Sequence, residues 1–230
     1  MLFRAGTIPA GCSTYKYFSF VEHSRYASGI IRSTWEEMGG SLAGKTLFAT
    51  TPEDAIHLSS IPSITVTEAI RDVNKFSNNA MAKQLFLTIG ALHRMQDDTD
   101  DAVVARNIIT QWWREKGIKR SSLVLENGSG LSRSERLSAY ELAQMLRIQA
   151  SLPLVAIDGT MRNRLKHSPV AGQARIKTGT LKDVRAIAGY SNDKDGHSWV
   201  IVAILNHPTN INNAILDRLL NSLYQQSPID

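Results

Sequence analysis

The chain's last third holds the stretch "ARIKTGTLKDVRAIAGYSNDKDGHSWVIVAILNH", residues 174–207. Three extended runs, ARIKTGT, RAIAGYSN and HSWVIVAILNH, are separated by the turn-like pieces LKDV and DKDG. Short runs of this kind joined by turn residues read as a strand meander. "NNAILDRLLNSLYQQ" (212–226) follows with apolar residues at helical spacing, an amphipathic helix that closes the chain.

Upstream of the meander the pattern is helical. "TVTEAIRDVNKF" (65–76) places Thr65 as an N-cap and Glu68 three residues on, a capping box. A second helix starts just after Ser77, with Met81, Leu85 and Ile89 on one face. "DAVVARNIITQWWREKG" (101–117) is a third, stopped by Gly117. "SAYELAQMLRIQAS" (138–151) is a fourth, with Ser138 as cap and Glu141 three residues later. "SSLVL" (121–125) reads as a strand entering the loop "ENGSGLSR" (126–133). Nearer the start, "VEHSRYASGIIRSTWEEM" (21–38) sets Tyr26, Ile30, Ile31 and Trp35 at helical spacing before Gly39-Gly40. "KTLFATTPEDAIHLSSIPS" (45–63) reads as short strands broken by Pro52 and Pro62. Helices followed by an antiparallel meander and a terminal helix define an α+β fold.

Composition narrows the function classes. The chain has 230 residues, 43% of them hydrophobic, which is ample for a sizeable core. Its net charge of +5 is mild, and it is dispersed: "RSERLSAYELAQMLR" and "DDTDD" interrupt any basic stripe, which argues against nucleic acid as partner. Cys12 is the lone cysteine, so no internal disulfide or multi-cysteine metal site can form. The six histidines show no metal-ligand spacing, and no cofactor is expected. The longest apolar run, "WVIVAIL" (199–205), is too short to span a bilayer, and no signal peptide is visible.

Two short motifs are candidates for chemistry. Lys177-Thr178-Gly179 lies on the first strand of the meander, Lys177 and Gly179 facing one side and Thr178 the other. A strand glycine often marks a close approach of ligand to backbone, with the lysine a fixed charge and the threonine hydroxyl a carboxylate ligand beside it. Taken alone, the same residues read as an edge strand with a solvated lysine. Ser77-Asn78-Asn79 sits between two helices; alone, Ser77 reads as an N-cap. In a cleft, Ser77 could relay a proton and Asn79 could bond a substrate amide.

A wider pattern accompanies the pair. "FSNNAMAKQLFLTIG", "LVLENGSGLSRSERLSAYELAQML", "LPLVAIDGTMRNRL" and "GQARIKTGTLKDVRAIAGY" occur in that order. Together they resemble the C-terminal half of the D-alanyl-D-alanine carboxypeptidase/endopeptidase family, the class C low-molecular-mass penicillin-binding proteins, over most of residues 20–207. The resemblance implies a β-lactamase/transpeptidase-like fold and a periplasmic serine enzyme acting on peptidoglycan stem peptides ending in D-Ala-D-Ala, with β-lactams as inhibitors. It makes Ser77 the relay serine and Asn79 a substrate-binding residue. Lys177 and Thr178 become the holders of the substrate carboxylate, beside Gly179, and the Thr180 N–H becomes a donor to the oxyanion. Gly128 and Gly130 shape a scaffold loop; Asp158-Gly159-Thr160 is a turn and helix cap without chemistry. Residues 1–63 correspond to the segment leading out of the family's inserted region, and 64–230 to the C-terminal part of the catalytic domain.

Such enzymes also need a nucleophile in a Ser-x-x-Lys, and "STYK" supplies one at Ser13 and Lys16, in the right order. The surrounding "STYKYFSF" is rich in aromatics and carries a β-branched Thr14, a poor start for the helix that would set the lysine one turn from the serine. The stretch from Ile8 to Leu42 resembles the family's return toward the Ser-x-Asn helices, and the family's own Ser-x-x-Lys lies well before that segment. Ser13–Lys16 therefore reads as a chance match, and the expectation is a chain that lacks the nucleophile and pairs with a missing N-terminal part of the same protein. Two alternatives stand beside it: a compact self-sufficient enzyme using Ser13, and a non-catalytic peptidoglycan-binding module that keeps Lys177 and Thr178.

Overall fold

The structure, a computed structural model, describes residues 11, 22–47, 49–96, 100–118, 122–146, 151–208 and 212–226. The chain divides into two units, Met1–Ile61 and Pro62–Asp230. Within the first, α1 (His23–Glu37) forms where the apolar spacing predicts it and stops at Met38 and Gly39. The strands expected over 45–63 do not form: every described residue there lies outside regular structure. Pro52 and Pro62 each remove a ladder donor from a segment already short of paired partners.

In the second unit, α2 (Val66–Phe76) begins at the expected capping box, with Thr65 Oγ1 accepting from the Glu68 N–H and the Glu68 carboxylate accepting from the Thr65 N–H. α3 (Asn79–His93) and α4 (Asp101–Glu115) pack against each other. Their contact is tight at Gly90, where a Cβ would lie 1.9 Å from the Asp101 carbonyl oxygen. The stripe of Met81, Leu85 and Ile89 is half-buried, and Phe86 and Gly90 are the fully buried positions of α3.

The segment 121–125 contributes a single antiparallel bridge, Val124 to Arg136, rather than a strand. α5 (Ala139–Met145) forms from the expected cap and is closed by Leu146; residues 147–150 of the expected helix lie outside the described residues. Its capping box is present, and Glu141 does more than close it. The carboxylate also accepts from the hydroxyl and the N–H of Ser122, tying α5 to the 122–125 segment.

The meander forms as expected: β1 (Ala174–Leu181), β2 (Val184–Asn192) and β3 (Ser198–Asn206) make an antiparallel sheet in the order β1-β2-β3. Ile176, Ile187 and Ile201 share a buried cluster with Leu216 and Leu220 of α6 (Ala214–Gln225) and with Val155, Met161 and Val170. Each such side chain contributes about 1.5–3 kcal/mol by leaving water. Because side chains alternate, Ala188 lies on the opposite face, toward Leu142 and Met145 of α5. Thr178 pairs with Ile187 and Lys177 with Ala188, so β1 presents Thr178 on the α6 face and Lys177 on the α5 face.

A 3-10 turn, Gly159–Met161, links α2 to β1. Lys75 of α2 donates to Leu152 O at 2.8 Å and to Asp158 Oδ2 at 2.6 Å, and Asp158 Oδ1 accepts from the Leu154 N–H at 2.7 Å. Partial burial opposes ionisation of Asp158, yet the bonds from Lys75 and Leu154 outweigh it and hold the carboxyl below its ordinary value. Among the described residues, no helix is long and apolar enough to cross a membrane.

Two outcomes are expected. Gly90→Ala pushes a methyl into the Asp101 carbonyl and lowers urea-unfolding stability by about 1–3 kcal/mol; an unchanged midpoint would contradict the packing. The bonds from Ser122 and Ser138 bring the Glu141 carboxyl down to about 2 from its ordinary 4.5. Because the folded value is the lower one, its stabilisation is complete above about 4.5 and is lost as pH falls toward 2. Urea midpoints followed across that range decline in the native chain, and Glu141→Gln flattens the decline.

Candidate active site

A cleft of about 590 Å³ opens beside β1. Every candidate residue of the two motifs lines it: Ser77 and Asn79 from the α2–α3 junction, Lys177, Thr178, Gly179 and Thr180 from β1. Lys177 Nζ donates to Ser77 Oγ at 2.7 Å, joining residues 100 positions apart, and to Thr178 O at 2.9 Å. Burial pushes the Lys177 ammonium below its ordinary value, so it releases a proton more readily than a surface lysine.

Ser77 is not the helix N-cap that its position suggests. Asn78 caps α3, its side-chain oxygen accepting from the Met81 N–H at 3.1 Å. Ser77 instead ends α2 in the left-handed conformation, φ 54° and ψ 48°. That geometry costs a residue with a Cβ about 1–2 kcal/mol, and it turns the hydroxyl from the helix end toward Lys177. Strain of this kind concentrates at sites where geometry serves function.

Asn79 Nδ2 donates to Ser129 O at 2.6 Å, which docks the loop 126–133 onto the first turn of α3. The loop is organised from within. Glu135 Oε1 accepts from the N–H groups of Asn127 and Gly128, both at 3.2 Å, and Asn127 Oδ1 accepts from the Ser129 N–H at 3.0 Å. Gly128 has φ 65°, and a Cβ there would meet the Phe86 side chain at 2.6 Å, so only glycine lets the loop lie this close to α3.

The outer edge of β1 is covered along its first half and open along its second. The Ile176 N–H points away from β2 and donates to Pro153 O at 2.8 Å. The alternation of an antiparallel strand sends the N–H groups of Thr178 and Thr180 the same way, to the edge that borders the cleft. On the other face of β1, Thr178 Oγ1 donates to Thr160 Oγ1 at 3.3 Å, and Thr160, Arg164 and Asn213 complete the lining there. These three were not legible in the sequence as site residues. DGTMRNRL reads as a turn, and only the packing of that turn against β1 brings Thr160 and Arg164 to the cleft.

Ser13 and Lys16 lie outside the described residues, as does Cys12. A second Ser-x-x-Lys, Ser191 to Lys194, is described: Ser191 is fully buried in β2, its hydroxyl directed to Asn192 O at 3.4 Å, away from any reacting group. Asp193, Asp195 and His197 approach one another closely enough to suggest a cation site. The Asp193 oxygens already accept from the N–H groups of Asp195 and His197 and from Trp199 Nε1, which makes the group a hydrogen-bonded turn.

Residues 2–222 match the profile of a family described as D-Ala-D-Ala carboxypeptidase 3 (S13). The D-alanyl-D-alanine carboxypeptidase of Actinomadura sp. (strain R39) is 26% identical over 97% of this chain and 45% of the relative. The D-alanyl-D-alanine carboxypeptidase DacB of Haemophilus influenzae is 24% identical over 85% of this chain and 44% of the relative. The chain thus spans less than half the length of these curated relatives. The crystal structure of penicillin binding protein 4 (dacB) from Haemophilus influenzae with a β-lactam superposes with TM-score 0.72 at 23% identity, covering 90% of this chain and 52% of that one, and has the same fold.

If Ser77 is held in a strained geometry for the sake of its hydroxyl, Ser77→Gly keeps or raises stability, by up to about 1 kcal/mol, while removing the Lys177 contact. Chemical denaturation checks this; a loss above about 2 kcal/mol would mean that the hydroxyl serves mainly to hold the fold.

Proposed function

The chain belongs to the D-Ala-D-Ala carboxypeptidase 3 (S13) family, and on that footing we propose that it forms the substrate-binding and proton-relay half of a serine D-Ala-D-Ala carboxypeptidase/endopeptidase acting on peptidoglycan. The observation that carries the reading is the 2.7 Å bond from Lys177 Nζ to Ser77 Oγ, in a cleft lined also by Asn79 and by Thr178 to Thr180.

In this reading a stem peptide ending in D-Ala-D-Ala lies along the open half of the β1 edge. A serine Oγ, deprotonated by a lysine one helical turn away, attacks the carbonyl carbon of the penultimate D-alanine. The developing oxyanion accepts from the Thr180 N–H, a donor already oriented by the sheet. As the C–N bond breaks, the departing amine takes its proton through Ser77, whose hydroxyl is refilled from Lys177. Water then hydrolyses the acyl ester; a β-lactam, acylating the same serine, leaves a long-lived ester instead. Asn79 bonds the substrate amide, and Lys177 with Thr178 and Gly179 receives the terminal carboxylate.

The acylated serine belongs to a Ser-x-x-Lys other than Ser13–Lys16, supplied by a further part of the protein that completes the cleft. The lengths of the curated relatives support this, and so does the buried state of Ser191. Residues 64–230 are then the C-terminal part of the catalytic domain, and its work is done in the periplasm, where peptidoglycan lies.

Intact mass after incubation with benzylpenicillin, followed by peptide mapping, tests the assignment. The expected result is no adduct on Ser13, together with reversible binding of an N-acylated D-Ala-D-Ala peptide that weakens about 10–100-fold in Lys177→Ala, the value of a hydrogen bond to a charged group. An adduct on Ser13 would overturn the reading and make this chain a self-sufficient enzyme.

A further inference from the structure

The cleft carries two charged side chains among its described lining residues, Lys177 and Arg164, and no carboxylate. The two cations stand differently. Lys177 directs its ammonium to Ser77 Oγ and Thr178 O, and burial lowers its hold on the proton. A group that shuttles protons with Ser77 spends part of the reaction uncharged, which makes it an inconstant anchor for an anion. The Arg164 guanidinium offers planar pairs of donors suited to a carboxylate.

Arg164 is also held in place. It follows the 3-10 turn, its N–H donating to Met161 O at 3.1 Å, and its Nη2 is paired with Asp217 in the first turn of α6. Its Nε is buried and has no hydrogen-bond partner, an arrangement that folded proteins rarely keep without a use. Asn213, which precedes α6, lines the cleft beside it, so the electropositive start of a 12-residue helix lies on the same side. This is the face of β1 that presents Thr178, one of the residues to which the proposed function assigns the substrate carboxylate.

We propose that Arg164 is the specificity-determining residue of the cleft: positioned by Asp217, it selects substrates that end in a free carboxylate, joining Thr178 and Lys177 at that group with donors that take no part in proton transfer to Ser77. The inference rests on the function proposed above and adds to its carboxylate recognition a residue on the opposite face of β1 from Lys177. It also accounts for the part-buried Arg164–Asp217 pair, which would otherwise serve only to join the 159–164 turn to α6.

The test is calorimetric titration of the chain at neutral pH with an N-acylated D-Ala-D-Ala peptide and with the same peptide as its C-terminal amide. The native chain is expected to prefer the free acid. Arg164→Gln lowers affinity for the acid about 10–100-fold and leaves the amide unaffected, so the preference collapses. Arg164→Lys, which keeps a positive charge opposite Asp217, retains part of the preference and answers the question should Arg164→Gln fail to fold. A preference that survives in a folded Arg164→Gln, or that is undiminished in Arg164→Lys, overturns the assignment of Arg164 while leaving the proposed function standing. Failure of the native chain to bind either peptide overturns the proposed function, and this inference with it.

Discussion

The bond between Lys177 and Ser77 spans 100 residues of sequence and ties the sheet to the helices inside the cleft that both line. Much of the neighbouring structure keeps its two ends in register. Lys75, two residues earlier on α2, is anchored to Leu152 O and Asp158, and Asn74 Nδ2 donates to Ser151 Oγ at 2.8 Å. The 151–161 segment so anchored also pairs with β1 through Leu154 and Arg175. α2 and β1 are thereby fixed to a common strut, and the strained Ser77 is held at the end of it. A hydrogen bond to a charged group is worth about 1.5–3 kcal/mol, of the same order as the cost of the left-handed backbone at Ser77, so the two largely cancel.

The cleft follows from the position of β1 at the edge of the sheet. Its inner side is paired with β2, the first half of its outer side is covered by the 153–155 segment, and its second half is left to the cleft. Because strand side chains alternate, the same short motif reaches into both layers. Lys177 meets the α2–α3 junction, and Thr178 meets Thr160 on the α6 side. A proton-handling side and an anion-handling side can therefore stand back to back across one strand, with the N–H groups of Thr178 and Thr180 between them.

What the sequence discloses is what local chemistry decides. The capping boxes at Thr65–Glu68 and Ser138–Glu141 form as read, because each is settled within four residues. The meander forms as read, because short extended runs and the turn residues between them suffice for it. Local rules fail where a distant partner competes. Ser77 has the composition of an N-cap, but Asn78 takes that role and the serine is turned over to Lys177. Ser-x-x-Lys occurs at a buried strand end, Ser191 to Lys194, which shows how little two fixed residues specify by themselves. Arg164 and Thr160 could not be found by pattern, since their place in the cleft depends on how a turn lies against a strand.

The central claim is that the open half of the β1 edge, between the Lys177 and Arg164 sides, receives a peptide ending in a carboxylate. The most direct measurement is an amide chemical-shift map of the chain titrated with an N-acylated D-Ala-D-Ala peptide. The account predicts the largest shifts at the Thr178, Gly179 and Thr180 amides, with smaller ones at Ser77 and in the 128–131 loop. Shifts confined to the apolar groove lined by Trp112, Met145 and Leu146, with the β1 amides unmoved, would contradict it.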